Sequence, residues 1–403
     1  MSLTKDLTLL SDRINALSES QTLAMSKKCR ELAAKGIDVI NLSIGEPDFQ
    51  TPQYIKDAAK KAIDDGFTFY TPVSGTADLK QAIAEKLKKD NQIEWKAENI
   101  VVSTGAKQSL ANALMCLVNP GDEVIIFSPY WVSYSEMVKL AEGEAVLLDG
   151  AFENEFKVTA EQLENAITSK TKVIMYSSPS NPTGSVFTEK ELREIAAVIA
   201  KHDNIFVIAD EIYEYINFDT NYFSIGALPS IKDRVITING FSKGFAMTGW
   251  RVGFMAAAKW IADACDKLQG QITSGTCSIA QKAATAALKG DMTPTREMAE
   301  AYLRRRDLVL GLMKEIPGFK TFVPKGAFYI FPDISYYFGK SDGQTTIGNA
   351  EDLCMYLLNK ASVSLVTGEA FGAPNCIRLS FAASDENLTK AMKQIKEAVA
   401  LLK

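Results

Sequence analysis

Ile205-Phe206-Val207-Ile208-Ala209-Asp210-Glu211-Ile212-Tyr213 is a run of five apolar residues, four of them β-branched or aromatic, that ends in two carboxylates. A short continuous apolar run bounded by polar residues reads as a buried strand, and the acids mark its carboxyl end. Working outward, comparable runs recur at Ile100 to Ser103, Glu123 to Phe127, Ala145 to Asp149, Val173 to Ser177, Val235 to Asn239 and Val252 to Met255. Amphipathic stretches lie between them, among them Lys107 to Leu117, Glu189 to Lys201 and Ile279 to Leu288. Turn residues punctuate the pattern at Asn119-Pro120-Gly121-Asp122 and Ser180-Asn181-Pro182-Thr183-Gly184. The alternation predicts an α/β domain with a mostly parallel seven-stranded sheet covered by helices.

The chain ends follow another rhythm. A long charged helix is expected from about Thr295 to Met313, then the segment Phe322 to Pro332, a helix near Glu351, and strands over Ser362 to Val366 and Ile377 to Phe381. The helix Thr22 to Ala34 and strand Val39 to Ser43 are expected to join them, because chain termini often meet at a surface. The expected division is a large domain over residues 46–290 and a smaller α+β domain from residues 1–45 and 291–403.

A chain of 403 residues with 47% hydrophobic content can bury a core across two such domains. Its 44 basic and 49 acidic side chains include no basic run that would favour nucleic acid or an anionic membrane. Six cysteines, Cys29, Cys116, Cys265, Cys277, Cys354 and Cys376, form no CxxC pair and read as reduced thiols. Met1 to Asp6 lacks a signal pattern and no apolar run is long enough to span a bilayer, so a cytoplasmic protein is expected. One histidine, His202, excludes a multi-histidine metal site, and no metal is expected. It is read as complementing the last carbonyls of a helix. Arg304-Arg305-Arg306 is read as a solvated helix face.

The chemistry centres on Ser242-Lys243-Gly244-Phe245-Ala246-Met247-Thr248-Gly249-Trp250-Arg251. Partly desolvating neighbours and a nearby cation disfavour the ammonium form of Lys243, which suits it to act as a Schiff-base nucleophile near neutral pH. Ser242 and Arg251 can hold a phosphate beside it. Ligands of open α/β sheets sit beyond the carboxyl ends of strands, where Asp210 can pair with a protonated ring nitrogen. Tyr213 and Asn181 can reach a ring oxygen. Taken singly, Asp210 also reads as a helix cap and Asn181-Pro182 as a turn. Ser103-Thr104-Gly105-Ala106-Lys107-Gln108 is a strand-to-helix turn whose backbone N–H groups suit a phosphate, and Trp131 offers an aromatic face to a flat heterocycle.

Together these motifs resemble those of the class I and II aminotransferases, pyridoxal-phosphate enzymes of fold type I, and most closely the bacterial aspartate aminotransferase subgroup. The resemblance runs from Gly45-Glu46-Pro47-Asp48-Phe49 to Arg378-Leu379-Ser380. It implies that Lys243 bonds pyridoxal 5′-phosphate and shuttles the substrate proton. It further implies that Asp210 partners the ring nitrogen, that Tyr213 and Asn181 bind the ring oxygen, and that Trp131 stacks on the ring. Gly105, Ala106, Ser242 and Arg251 would cradle the phosphate, with Tyr70 reaching the neighbouring subunit's site, so a homodimer with shared sites is implied. Arg378 would bind the substrate α-carboxylate beside Gly45, and its planar fork suits that group.

The same resemblance implies ping-pong transfer of an amino group between an amino acid and a 2-oxo acid. Lys107, reading an acidic side chain, favours aspartate with 2-oxoglutarate. Relatives with this motif also aminate prephenate, and Thr22 stands at a position compatible with that activity. Other amino acids, aromatic ones among them, and a lyase of the same fold are alternatives. A regulator would be expected to carry an added basic DNA-binding segment, and a purely structural role would not require Lys243, Asp210, Asn181 and Arg251 in this order.

Overall fold

The computed structural model describes residues 9–19, 21–218 and 222–403; Met1 to Asp6 and the side chain of Thr22 lie outside what is described. Strand β1 (Ile40–Asn41) precedes the strands of the main sheet, which are β2 (Ile100–Ser103), β3 (Glu123–Ser128), β4 (Glu144–Asp149), β5 (Thr171–Ser177), β6 (Phe206–Asp210), β7 (Val235–Gly240) and β8 (Gly253–Ala256). They form one seven-stranded sheet in the order β2-β8-β7-β6-β5-β3-β4. All pairings are parallel except those of β8, which runs antiparallel to β2 and to β7.

β2, β3, β5, β6 and β7 therefore end at one edge, and β8 begins there. That edge collects Gly105, Asn181, Asp210 and Lys243 from segments far apart in the chain. The central strands are apolar on both faces and buried throughout, as a sheet covered by helices requires. β4, at the outer edge, is half exposed.

Helix Glu189–Ile199 illustrates how the cover is specified. Thr188 accepts from the Glu191 amide while the Glu191 carboxylate accepts from the Thr188 amide, and this reciprocal cap starts the helix. Leu192, Ile195, Ala196 and Ile199 then recur at helical spacing and are buried against the sheet, in a core shared with Ile125, Ile174 and Val207.

A second core joins the two chain ends. Ile40 and Leu42 pack with Met298, Tyr302, Phe328, Leu357, Leu379 and Ile395. Around it, β1 pairs parallel with β10 (Val363–Ser364). β11 (Val366–Thr367), β12 (Ile377–Ser380) and β9 (Tyr329–Ile330) form a small antiparallel sheet in the order β11-β12-β9. Of the segment Phe322 to Pro332 only β9 is strand. The amides of Lys325 and Gly326 bond the Gly184 carbonyl and that of Ala327 bonds the Ile216 carbonyl, which ties the segment to the main-sheet side instead.

Two expectations are corrected. Arg304 is exposed, but Arg305 and Arg306 are not solvated: their side chains are 11% and 13% exposed. Arg306 donates to the Pro324 carbonyl at 2.9 Å and lies over the Phe218 ring. The aromatic and carboxylate groups of the facing segments make burial of two guanidinium stems favourable, as helix periodicity alone does not reveal. The carbonyls around the end of helix Glu189–Ile199 are bonded by Arg234, which reaches those of Ile199, His202 and Ile205, so a fixed cation does the work assigned to the His202 imidazole.

No helix among the described residues is long and apolar enough to cross a membrane, and no cluster among them suits a metal ion.

Candidate active site

A cavity of about 420 Å³ opens at the carboxyl edge of the main sheet, between it and the second core. Gly45, Ala106, Lys107, Trp131, Asn181, Asp210, Tyr213, Ser242, Lys243, Arg251 and Arg378 all line it. Gly105 lies just beneath, under Arg251. Tyr70 does not: it is 98% exposed, beside the also exposed Phe69.

Lys243 follows β7 and points its amine into the cavity, where Nζ donates to the Gly45 carbonyl. The rings of Tyr213 and Phe328 lie 5.6 and 5.8 Å from Nζ. Burial pulls its pKa down to about 8; Glu46 and Asp210 oppose the shift, while Arg378 and Arg251 reinforce it. About a tenth of this amine is therefore neutral at pH 7, far more than for an ordinary lysine.

Asp210 closes the floor. It is 4% exposed, and burial raises its pKa to about 6. Its Oδ2 accepts from Tyr134 Oη at 2.7 Å and its Oδ1 from the Ile212 amide at 3.2 Å. Among the described residues no cation pairs with it. A carboxylate held at this depth with no salt bridge, the Lys243 charge acting on it only through space, is suited to a cationic ligand atom.

Arg378, on β12, is 2% exposed and lies between the rings of Tyr329 and Phe371, at 4.5 and 4.8 Å. Nη1 donates to Asn181 Oδ1 at 2.9 Å and Nη2 to the Ser43 carbonyl at 2.5 Å, while Nε has no partner. A buried guanidinium with no carboxylate on it is a ready carboxylate site. Gly45 is required beside it, because a Cβ there would stand 2.4 Å from Tyr329 Oη.

The other wall is an anion cradle. Gly105 has φ +84° and precedes helix Ala106–Leu117, whose first residues, Ala106 and Lys107, line the cavity. The positive φ favours glycine, and a Cβ on Gly105 would stand 2.4 Å from Arg251 Nη2, so a side chain there would displace the guanidinium that lies across the turn. Arg251 is aimed by the carbonyls of Thr248 and Thr104, at 2.9 and 3.4 Å. Ser242 adds a hydroxyl to the same wall. Near the mouth, Lys107 Nζ lies 4.7 Å over the Trp131 ring, and burial with Arg251 lowers its pKa.

Three cavity contacts have no counterpart in the sequence reading. Tyr134 holds Asp210, and Tyr329 shares a 2.7 Å hydrogen bond with Tyr213. Glu46 accepts from Thr248 across the mouth. Lone tyrosines carry no spacing signal, although Gly45-Glu46-Pro47-Asp48-Phe49 already placed Glu46 next to a site glycine.

The family model described as "Aminotransferase class I and II" matches residues 37–395. A Petunia hybrida protein described as bifunctional aspartate aminotransferase and glutamate/aspartate-prephenate aminotransferase is 45% identical over 401 residues, covering 98% of this chain and 83% of its own. An aspartate/prephenate aminotransferase of Nitrosomonas europaea is 44% identical over 390 residues, covering 96% of this chain and 98% of its own. Among solved structures, the aspartate aminotransferase of Rhizobium meliloti superposes with a TM-score of 0.95 at 39% identity, covering 98% of this chain and 99% of its own. That of Thermus thermophilus with maleate gives 0.91 at 38% identity, covering 96% of this chain and 99% of its own.

Proposed function

The chain belongs to the class I and II aminotransferases, and from that premise we propose that it transfers the amino group of aspartate to 2-oxoglutarate on pyridoxal 5′-phosphate held by Lys243. The observation that carries the reading is a partly neutral Lys243 amine in one cavity with an unpaired Asp210 carboxylate, a Gly105–Arg251 anion cradle and a buried Arg378. The cavity fits that cofactor at both ends, the cradle suiting its phosphate and Asp210 a protonated ring nitrogen. Bound there, the cofactor supplies a carbonyl for amines and an electron-withdrawing ring.

The chain's own groups do the rest. Arg378, with Asn181 on Nη1, orients the substrate α-carboxylate and so aims the Cα–H bond at Lys243. Lys243 Nζ is placed to take the proton from the substrate Cα, and its pKa near 8 would let it both accept and release that proton. Asp210 keeps a positive charge in place opposite it. Tyr213 and the amide of Asn181 suit the ring oxygen, and Trp131 the ring face. In the return half-reaction the same residues act on a 2-oxo acid, giving ping-pong kinetics.

Lys107 at the mouth is assigned the side-chain carboxylate of a dicarboxylic substrate. The names of the Petunia and Nitrosomonas proteins favour prephenate as a second acceptor. The proposal extends to a cytoplasmic homodimer in which Tyr70, 98% exposed in its own subunit, reaches the neighbouring cavity. It also extends to a division into a large domain over residues 46–290 and a small one from both ends, supported by the core that Ile40 and Leu42 share with Met298 to Leu402. Initial rates with aspartate, alanine and phenylalanine against 2-oxoglutarate, oxaloacetate and prephenate test the assignment. Lys107→Ala is expected to raise KM for dicarboxylates most, and an equal effect on every substrate would remove Lys107 from its role.

A further inference from the structure

We infer that Arg305 is a positioning residue for amino transfer, acting through the loop from Ser43 to Thr51; the inference rests on the function proposed above. Arg305 sits on helix Thr293–Met313, outside the cavity lining. Its Nη1 donates to Asp48 Oδ1 at 2.8 Å and its Nε to Asp385 Oδ1 at 3.1 Å. Its guanidinium carbon lies 5.0 Å from the Phe49 ring centroid, and Phe49 meets Tyr302 of the same helix edge-on at 5.4 Å. One side chain thus grips two consecutive loop residues, Asp48 and Phe49. Among the described residues, Asp48 makes the only ion pair of the loop.

Upstream in the same loop are the two carbonyls that aim the reacting groups. Ser43 accepts from Arg378 and Gly45 from Lys243. Downstream, Thr51 Oγ1 donates to the Ala246 carbonyl at 2.6 Å and accepts from Trp250 Nε1 at 3.1 Å, and Glu46 accepts from Thr248. The loop is therefore tied on one side to the segment that carries Lys243 and on the other to helix Thr293–Met313. Asp48 lies only three residues beyond Gly45, so releasing Arg305 lets the Gly45 carbonyl drift relative to Arg378. The distance between the α-carboxylate site and the proton-moving amine is then no longer fixed. Asp385, in contrast, begins helix Asp385–Val399, lies outside the cavity lining and, among the described residues, has no ion pair other than that with Arg305. It backs the guanidinium from behind.

The two carboxylates give the test. Arg305→Met, Asp48→Asn and Asp385→Asn are prepared as holoenzymes and compared with the parent for kcat and KM with aspartate. Affinity for succinate, a non-reacting dicarboxylate, is measured by calorimetry, and unfolding temperature is recorded. The inference predicts that Arg305→Met and Asp48→Asn weaken succinate binding about tenfold or more and lower kcat/KM on the order of a hundredfold, as misplacement of a reacting group does. Asp385→Asn is predicted to shift the unfolding temperature while leaving both largely intact. Combining Arg305→Met with Asp48→Asn should cost little more than either alone.

If all three variants lose stability in parallel and keep parental KM and succinate affinity, Arg305 is only a structural clamp and the inference fails. Should Arg305→Met not fold, Asp48→Asn alone decides, because the same two readouts apply to it. A parent enzyme that transfers no amino group would overturn the proposed function instead, a result visible before any variant is made.

Discussion

Replacing Lys243 by methionine should abolish transfer and yet make the cofactor-free protein more stable. The amine is held in the cavity with a pKa near 8 in place of 10.5, and burial is the main cause. A displacement of that size corresponds to about 3 kcal/mol against the charged form at neutral pH. Part of the side chain faces the open cavity, and solvent screening there reduces the effect to about 2 kcal/mol. Methionine keeps the length and apolar stem but loses the hydrogen bond to the Gly45 carbonyl, which offsets about 1 kcal/mol. The net expectation is that the variant is more stable by about 1 kcal/mol near neutral pH.

The sign reverses with pH in a defined window. Between pH 8 and 10.5 the unfolded chain still binds a proton that the folded chain has released, so the parent gains stability as pH rises through that interval. The advantage of the variant must shrink across it and turn into a deficit at the upper end. Urea unfolding of both apoproteins, followed by tryptophan fluorescence at several pH values, reads the difference directly. A variant less stable than the parent near neutral pH, or an advantage undiminished at about pH 10, would refute the claim that burial disfavours the charged amine.

Two further outcomes follow from the cavity walls. Tyr134→Phe removes the hydroxyl that bonds Asp210, and leaving a buried carboxylate short of a donor costs about 1 to 3 kcal/mol. Because the folded pKa of Asp210, about 6, already exceeds its unfolded value of 3.8, stability falls as pH rises between them; in the variant the fall should continue to higher pH, and an unchanged profile by urea titration would contradict the role of Tyr134. Gly105→Ala forces a side chain into a φ of +84° and against Arg251, so titration with pyridoxal 5′-phosphate should show affinity reduced about tenfold, and unaltered affinity would place the phosphate elsewhere.

Strands of the main sheet were legible because each is a compact apolar run between turn residues. The run at Ile205 ends in Asp210, and the observed strand does too. What the residues do not carry is order and direction: β8 is as apolar as its neighbours, yet it alone runs antiparallel between β2 and β7, bringing Arg251 to the cavity edge. Residues with distinctive chemistry in a motif, such as Lys243, Asp210, Asn181 and Arg378, were readable and meet in one cavity. Tyr134 and Tyr329 were not, because a tyrosine in an apolar context looks the same whether its hydroxyl faces a core or a carboxylate. The burial of Arg305 is hidden from the sequence for a related reason: its partners Asp48 and Asp385 lie 257 and 80 residues away, and only folding brings them to one guanidinium.

The central claim is that the amine of Lys243 bonds the aldehyde carbon of pyridoxal 5′-phosphate. Purified protein incubated with the cofactor, reduced with borohydride, digested and weighed by mass spectrometry tests it most directly. The account predicts one pyridoxyl phosphate adduct on the peptide containing Lys243 and none in Lys243→Met. An unmodified peptide, or an adduct fixed at another lysine, would contradict it.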